Sequence, residues 1–330
     1  CCGPGWVLSI LNRFQKNMNA EQGHLTGHDQ ALVPGVVSSG PVSVGQRLLE
    51  EGISLLAQGD RTGAAQVLAR ARSERDTLLQ AHALIESNDL VGSFRNIMGL
   101  DCTISSQDDI FGFFAGHASS TNPLRDYLAD GWRTLSELML LLEAVDQPLL
   151  HTPSVLEFAS GHGRFTRHLV KALGPGRVTV SDVVPDAVHF ATQTFGVQGL
   201  MSASVPEEVQ WPQRYSLVFV LSLFSHLPRS TWARWLKVLW DAVEPGGLLV
   251  FTTHGVKAAA FDHVTLDEEG YFFAPSSEST AIDGQEYGTA FTSEPFVLAR
   301  IEETVGAKSL VHQSLVHFWN HQDAYVLRKQ

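Results

Sequence analysis

The segment VLEFASGHGRFTRHL, residues 155–169, constrains the fold of this chain more than any other. A short apolar run closes with Glu157, Phe158 and Ala159. Gly161 and Gly163 follow in a bend, and Arg164 to Leu173 then carries a helical pattern. A strand, a glycine-rich bend and a helix in that order let backbone approach a ligand with no side chain in the way. In a parallel sheet such a ligand lies outside the carboxyl ends of the strands, near the reversal in strand order. Asp182 stands at the end of the next strand pattern. A carboxylate there suits two ribose hydroxyls, because it accepts at both oxygens.

Around this segment strand and helix patterns alternate. Ser154–Ala159, Arg177–Ser181, Leu200–Ser202, Leu217–Leu221 and GGLLVFTTHG up to Gly255 read as strands. Pro185–Phe195 and Ser230–Val243 read as helices, the latter with Trp232, Trp235, Leu236 and Leu239 on its buried side. Continuous apolar strands in β-α-β order predict an α/β, doubly wound, mainly parallel sheet covered on both faces. Ser309–Trp319 and Ala324–Arg328 predict a terminal antiparallel hairpin after a helix over Glu294–Val305. Between strand five and that helix the rhythm breaks, at about 256–290. Polar, aromatic insertions of this kind commonly carry substrate recognition.

The rest divides into two stretches. Residues 1–44, rich in Gly, Pro and Ser, predict a flexible or extended leader. Residues 45–122 predict a helical accessory region. Within it two helical patterns are split at Gly59-Asp60, with Leu48, Leu49, Ile53, Leu55 and Leu56 facing Ala64, Val67, Leu68 and Ala71. The main domain then runs over 123–330. Its first helix carries Trp132 on an apolar face and Gly131 in its interior, a place for close approach by a ligand or another helix.

A length of 330 residues suits about two domains. Lys and Arg total 23 against 35 Asp and Glu, a formal charge of −12, which argues against a nucleic-acid partner. Three cysteines form neither a disulfide scaffold nor a zinc ladder, and no metal site is expected. The longest apolar run, 215–224, is too short for a membrane span, so a soluble, cytoplasmic protein is expected.

Glu157 before the glycines, Asp182 after strand two, Pro245-Gly246-Gly247 before strand five and the terminal hairpin together resemble the class I S-adenosylmethionine-dependent methyltransferases, over about 123–330. YLADGWRTL, GRFTRHL, SLFSHLP and LLVFTTHG are similar in look to bacterial methyltransferases encoded near glycosyltransferases. The resemblance implies a Rossmann-like, seven-stranded sheet and S-adenosyl-L-methionine as cofactor, released as S-adenosyl-L-homocysteine. The family usually has an acidic residue and then Gly-x-Gly-x-Gly. Here Glu157 holds the acidic position, Ala159 replaces the first glycine, Ser160 follows it, and Gly161 and Gly163 match the other two. By that likeness Glu157 works near the methionine amine, Gly161 and Gly163 pass under the cofactor, Asp182 holds the ribose and Val183 lies against adenine. Ser202-Ala203 stand where the family often has an Asp, and Ser222 stands at the mouth of strand four. A nicotinamide-dinucleotide fingerprint would want its last glycine at Thr166, and Glu157 would oppose a pyrophosphate.

Methyl transfer is an in-line displacement that needs alignment, exclusion of water and, for some acceptors, a base. His226, His254 and Tyr287 are the candidate bases; the plainer roles are capping or packing for His226 and anchoring the insertion for His254 and Tyr287. Arg133 or Arg164 is a candidate partner for the methionine carboxylate, and Tyr127 and Trp132 are candidates for a lid. The expected reaction is O-methylation of a small-molecule or carbohydrate acceptor. The alternatives are a lipid or polyketide-like metabolite, a protein side chain, or a non-catalytic binding module on the same fold. A homodimer is compatible with each.

Overall fold

The computed structural model describes residues 42–117, 120, 122–276, 282–318 and 321–330; almost all of the expected leader lies outside them. The chain forms two compact units. Among the described residues, one comprises 103–113 and 127–330, and the other 42–102 and 114–126.

The larger unit is built on a sheet of seven strands: β1 (Val155–Phe158), β2 (Val178–Asp182), β3 (Gln198–Met201), β4 (Tyr215–Val220), β5 (Val243–His254), β8 (Leu310–Phe318) and β9 (Gln322–Arg328). Their order is β3-β2-β1-β4-β5-β9-β8. The first five run parallel, whereas β9 pairs antiparallel with both β5 and β8. The order reverses between β1 and β4, which pair side by side with Phe158 opposite Val220. This is the doubly wound, mainly parallel sheet with a terminal hairpin that the alternating patterns predict, and the Rossmann-like, seven-stranded arrangement that the resemblance implies.

Alternation along the central strands divides the core into two layers. Val155, Val180, Phe219 and Val250 pack with Phe165 and Leu169 of the helix Thr166–Leu173 and with Leu135, Leu138 and Leu142 of the helix Pro123–Glu143. Leu156, Val218 and Leu249 face the other way, onto Trp232, Trp235, Leu236 and Leu239 of the helix Arg229–Asp241. Apolar residues on both faces are what a covered parallel sheet requires. Gly131 sits where the 123–143 helix meets the segment after the bend: an added Cβ would lie 2.3 Å from the Arg164 carbonyl oxygen. Trp132 is 55% exposed, so it belongs to no core face. The helical stripe that it extends in the sequence turns outward one residue after Gly131.

The insertion has structure of its own. A helix, Val256–Phe261, precedes an antiparallel pair, β6 (Tyr271–Ala274) and β7 (Thr289–Thr292). Asp267 and Glu269, both exposed, pair with Arg229.

In the smaller unit, helices Val44–Ala57 and Arg61–Ala71 form the expected pair, and Leu78–Ser87 and Ser93–Met98 follow as two more. Ser43 and Asp60 cap the first two by accepting the amides of Gln46 and Gly63, each at 2.9 Å, worth about 1 kcal/mol apiece. Leu48, Leu49, Val67, Leu68 and Ala71 pack with Ala81 and Ile85. Gly52 permits the close approach, since a Cβ there would lie 2.5 Å from the Leu68 side chain. Ile53 is 47% exposed and falls outside this core. Across the described residues, no helix is long and apolar enough to cross a membrane.

Candidate active site

The bend after β1 is made by three left-handed residues. Ala159 has φ +58°, Gly161 +55° and Gly163 +83°. The two glycines do different work. A Cβ at Gly163 would lie 2.3 Å from the Phe195 ring, so this glycine lets the helix start pack closely. A Cβ at Gly161 would meet no protein atom within 4 Å, so this glycine leaves space open. Ala159 holds a conformation that costs a residue with a Cβ about 1 kcal/mol or more.

That open space is a cavity of about 300 Å³ at the carboxyl ends of the strands. Glu157, Ala159, Ser160 and Gly161 line it from β1 and its bend, Asp182 and Val183 from β2, Ser202 and Ala203 from β3, Ser222 from the turn after β4, and Tyr287 from the insertion. Gly163, His226 and His254 do not line it.

Glu157 is buried at the end of β1, and its Oε2 accepts the Thr166 hydroxyl at 2.7 Å. Burial pushes its pKa up to about 8, against the lowering effect of that hydrogen bond and of Arg164. Thr166, where a dinucleotide fingerprint would have glycine, therefore has a task that glycine lacks. Asp182 is tied to the bend: its Oδ2 accepts the Gly161 amide at 2.8 Å and its Oδ1 the Val184 amide at 2.9 Å. Burial raises its pKa, and those amides oppose the rise. With the backbone of Val183 as a third donor, the carboxylate still keeps acceptor capacity for a ligand hydroxyl.

His226 is fully buried, with its ring Nδ1 donating to the Gly288 carbonyl at 2.6 Å. Its own carbonyl accepts the Gly288 amide at 2.9 Å, so the histidine clamps the insertion to the end of β4. The Tyr287 ring stacks on it at 4.4 Å, between the histidine and the cavity. His254 is buried too, and burial, with the nearby charge of His226, drops its pKa to about 3. Arg133 pairs with Glu137 at 2.8 Å, while Arg164 lines the cavity and pairs with Asp130. Trp132 and Tyr127 do not line the cavity. Tyr127 is buried and donates to Asp108 at 2.5 Å.

Asp108, with Gln107, Asp109 and Ile110, lines the cavity from a stretch in which the sequence shows no regular pattern. Glu286 joins from the insertion. The lining is thus rich in carboxylates, whereas Arg164 is engaged by Asp130 and His162 by Asp186 at 2.9 Å. Such a wall attracts a cation and opposes a pyrophosphate. With an open bend at Gly161 and a carboxylate free to accept at Asp182, these residues fit S-adenosylmethionine, a sulfonium nucleoside. Among the described residues no group of three or more His, Cys, Asp or Glu side chains is placed to hold a metal ion.

Comparison with known proteins agrees with this frame. Residues 155–247 match the family model described as a methyltransferase domain. No curated protein matches the chain. Solved structures with a similar course include magnesium protoporphyrin IX methyltransferase (ChlM) from Synechocystis PCC 6803 with bound SAH, at 13% identity, TM-score 0.45, 73% of this chain and 99% of that one. The N-methyltransferase NodS from Bradyrhizobium japonicum WM9 is 18% identical, with TM-score 0.39, over 60% of this chain and 94% of its own. DesVI of Streptomyces venezuelae is 13% identical, with TM-score 0.44, over 69% and 100%. Likenesses this distant carry no argument about chemistry. What the comparisons show is a methyltransferase-domain match over 155–247, on a strand order and a glycine bend that suit such a domain.

Proposed function

We propose that this protein transfers a methyl group from S-adenosylmethionine to an oxygen of a small-molecule or carbohydrate acceptor. One observation carries the reading: Glu157 and Asp182 line the same cavity, on either side of a bend that leaves space for a ligand. Asp182 would hold the ribose hydroxyls, Val183 would lie against adenine with Ser202 and Ala203 beyond, and Glu157 would answer the amino-acid ammonium. When bound, the cofactor supplies an electrophilic methyl on a sulfonium. The chain binds and aligns the partners and keeps water out.

Of the three candidate bases, Tyr287 lines the cavity, with His226 stacked behind it. In this reading Tyr287 orients the acceptor hydroxyl, His226 holds Tyr287 in place through Gly288, and the acceptor proton leaves to solvent. His254 supports from behind the cavity as a neutral imidazole.

Calorimetric titration with S-adenosylmethionine and with NAD tests the cofactor; binding of NAD alone would reject the reading. Isotope-labelled methyl transfer to a panel of sugars, nucleotide sugars, phenols, fatty acids and peptides tests the acceptor. Label carried by peptides alone would point to a protein side chain.

A further inference from the structure

Residues 103–108 form neither helix nor strand, yet Gln107 and Asp108 line the cavity, with Asp109 and Ile110 at the start of the helix Asp109–Gly116. Within 103–110 only Asp108 is buried. Its Oδ1 accepts the Phe111 amide at 3.0 Å, which caps that helix, and its Oδ2 accepts the Tyr127 hydroxyl at 2.5 Å. Burial and the Asp108 charge raise the Tyr127 pKa, so the phenol keeps its proton and donates. Asp108 is thus both a wall of the cavity and the point at which its segment is pinned.

Arg167 stands behind the pin. It is 2% exposed, and a buried charge is costly unless its donors find partners. Its Nε donates to the Gly163 carbonyl of the glycine bend at 2.9 Å, and its Nη1 donates to the Thr103 carbonyl at 3.1 Å. The guanidinium also lies 5.3 Å from the Tyr127 ring centroid and 5.0 Å from that of Phe195, the ring that Gly163 packs against. A planar fork with two faces can do all of this at once, whereas a lysine offers a single point of charge.

A continuous line of contacts therefore runs from the bend through Arg167 and Tyr127 to Asp108, that is, from one wall of the cavity to another. Neither Arg167 nor Tyr127 lines the cavity itself. We propose that Arg167 and Tyr127 are positioning residues that lock segment 103–110 onto the glycine bend, so that the dwell time of a ligand is set by two side chains that do not touch it. The ligand is taken from the cofactor reading above; the lock is independent of it. Because release of product limits turnover in many enzymes, such a lock bears on rate as well as on affinity.

The test uses the full chain as wild type, Tyr127→Phe, Arg167→Lys and the double variant. Stopped-flow mixing with S-adenosylhomocysteine, followed by the fluorescence of Trp235 in the cavity wall, reads its on and off rates. Tyr127→Phe removes one oxygen and leaves the ring beside Arg167; it is expected to speed dissociation about tenfold without slowing association. Arg167→Lys should do the same, and the double variant should exceed the larger single effect by less than about twofold, since the two act in series. In the ligand-free variants, hydrogen exchange should quicken about tenfold at the amides of Asp108, Phe111 and Gly112, which bond to Ser105 and Asp108, and stay unchanged in β1 and β4. A merely structural role would quicken exchange across the sheet and leave the off rate alone. An unchanged off rate in Tyr127→Phe, additive effects in the double variant, or exchange that rises equally in the strands overturns the proposal and leaves the cofactor reading standing. Failure of the wild type to bind S-adenosylhomocysteine overturns the cofactor reading, and exchange at the three amides then decides the lock by itself. Tyr127→Phe carries the test even where Arg167→Lys does not fold.

Discussion

The carboxylate of Asp182 accepts the amide proton of Gly161 at 2.8 Å. The end of one strand thereby fixes the bend that follows its neighbour, so ribose recognition and the shape of the glycine turn depend on one side chain. Asp182→Asn would set an amide group against donors at Gly161 or Val184. We expect a loss of about 1–3 kcal/mol in stability, from a buried donor left unmatched. We also expect at least tenfold weaker binding of S-adenosylmethionine. Urea unfolding and calorimetry read the two effects separately; a variant that binds like wild type would remove Asp182 from the site.

Glu157 has a pKa of about 8 without ligand, raised by burial. At pH 7 it is therefore mostly protonated, and a cationic ligand beside it would draw the pKa down. Binding of S-adenosylmethionine at pH 7 should then release up to about one proton, and affinity should rise from pH 6 to pH 9. The sign for the ligand-free protein is opposite. Because the folded pKa lies above the unfolded one, stability falls as pH rises from the usual carboxylate range through 8. Binding heats in buffers of different ionisation enthalpy measure the proton count, and Glu157→Gln should abolish it.

Ala159 occupies a left-handed conformation where a glycine would be unstrained. Ala159→Gly relieves that strain but adds unfolded-state entropy. The two effects oppose each other, and the net is expected to be a gain of about 0.5–1 kcal/mol. A rise in the urea midpoint with an unchanged slope would bear this out; a fall would mean that the alanine methyl makes packing contacts worth more than the strain.

Two buried histidines should make the fold acid-sensitive. Burial lowers His168 to about 4 and His254 to about 3. Both folded values lie below the unfolded value of about 6.5, so the unfolded chain binds protons that the native state refuses. Stability contributed at neutral pH is lost as pH falls from about 6.5 toward these values. His168→Gln should flatten the fall of the unfolding free energy between pH 6.5 and 4. Because His254 is already neutral across the physiological range, no inflection near pH 6.5 in a pH–rate profile should belong to it.

Local chemistry made much of this protein readable from its residues. The bend at 159–163, the helix at Pro185–Phe195 and the helix at Glu294–Val305 follow from glycines, a helix-starting proline and apolar period, all of which act within a few residues. Glu157 and Asp182 were legible because each stands at the end of an apolar strand, where a parallel sheet presents its ligand. Their tie through Gly161, the hydrogen bond from Thr166, the approach of Gln107–Ile110 and the position of Arg167 between Thr103 and Tyr127 were not. Each joins atoms far apart in the chain, and no local period records such a meeting. The outward turn of Trp132 and the burial of His226 and His254 behind the cavity lining belong to the same class. Sequence pattern says that a side chain lies near a strand end, whereas packing of neighbouring elements decides which way it points and whether water or ligand reaches it.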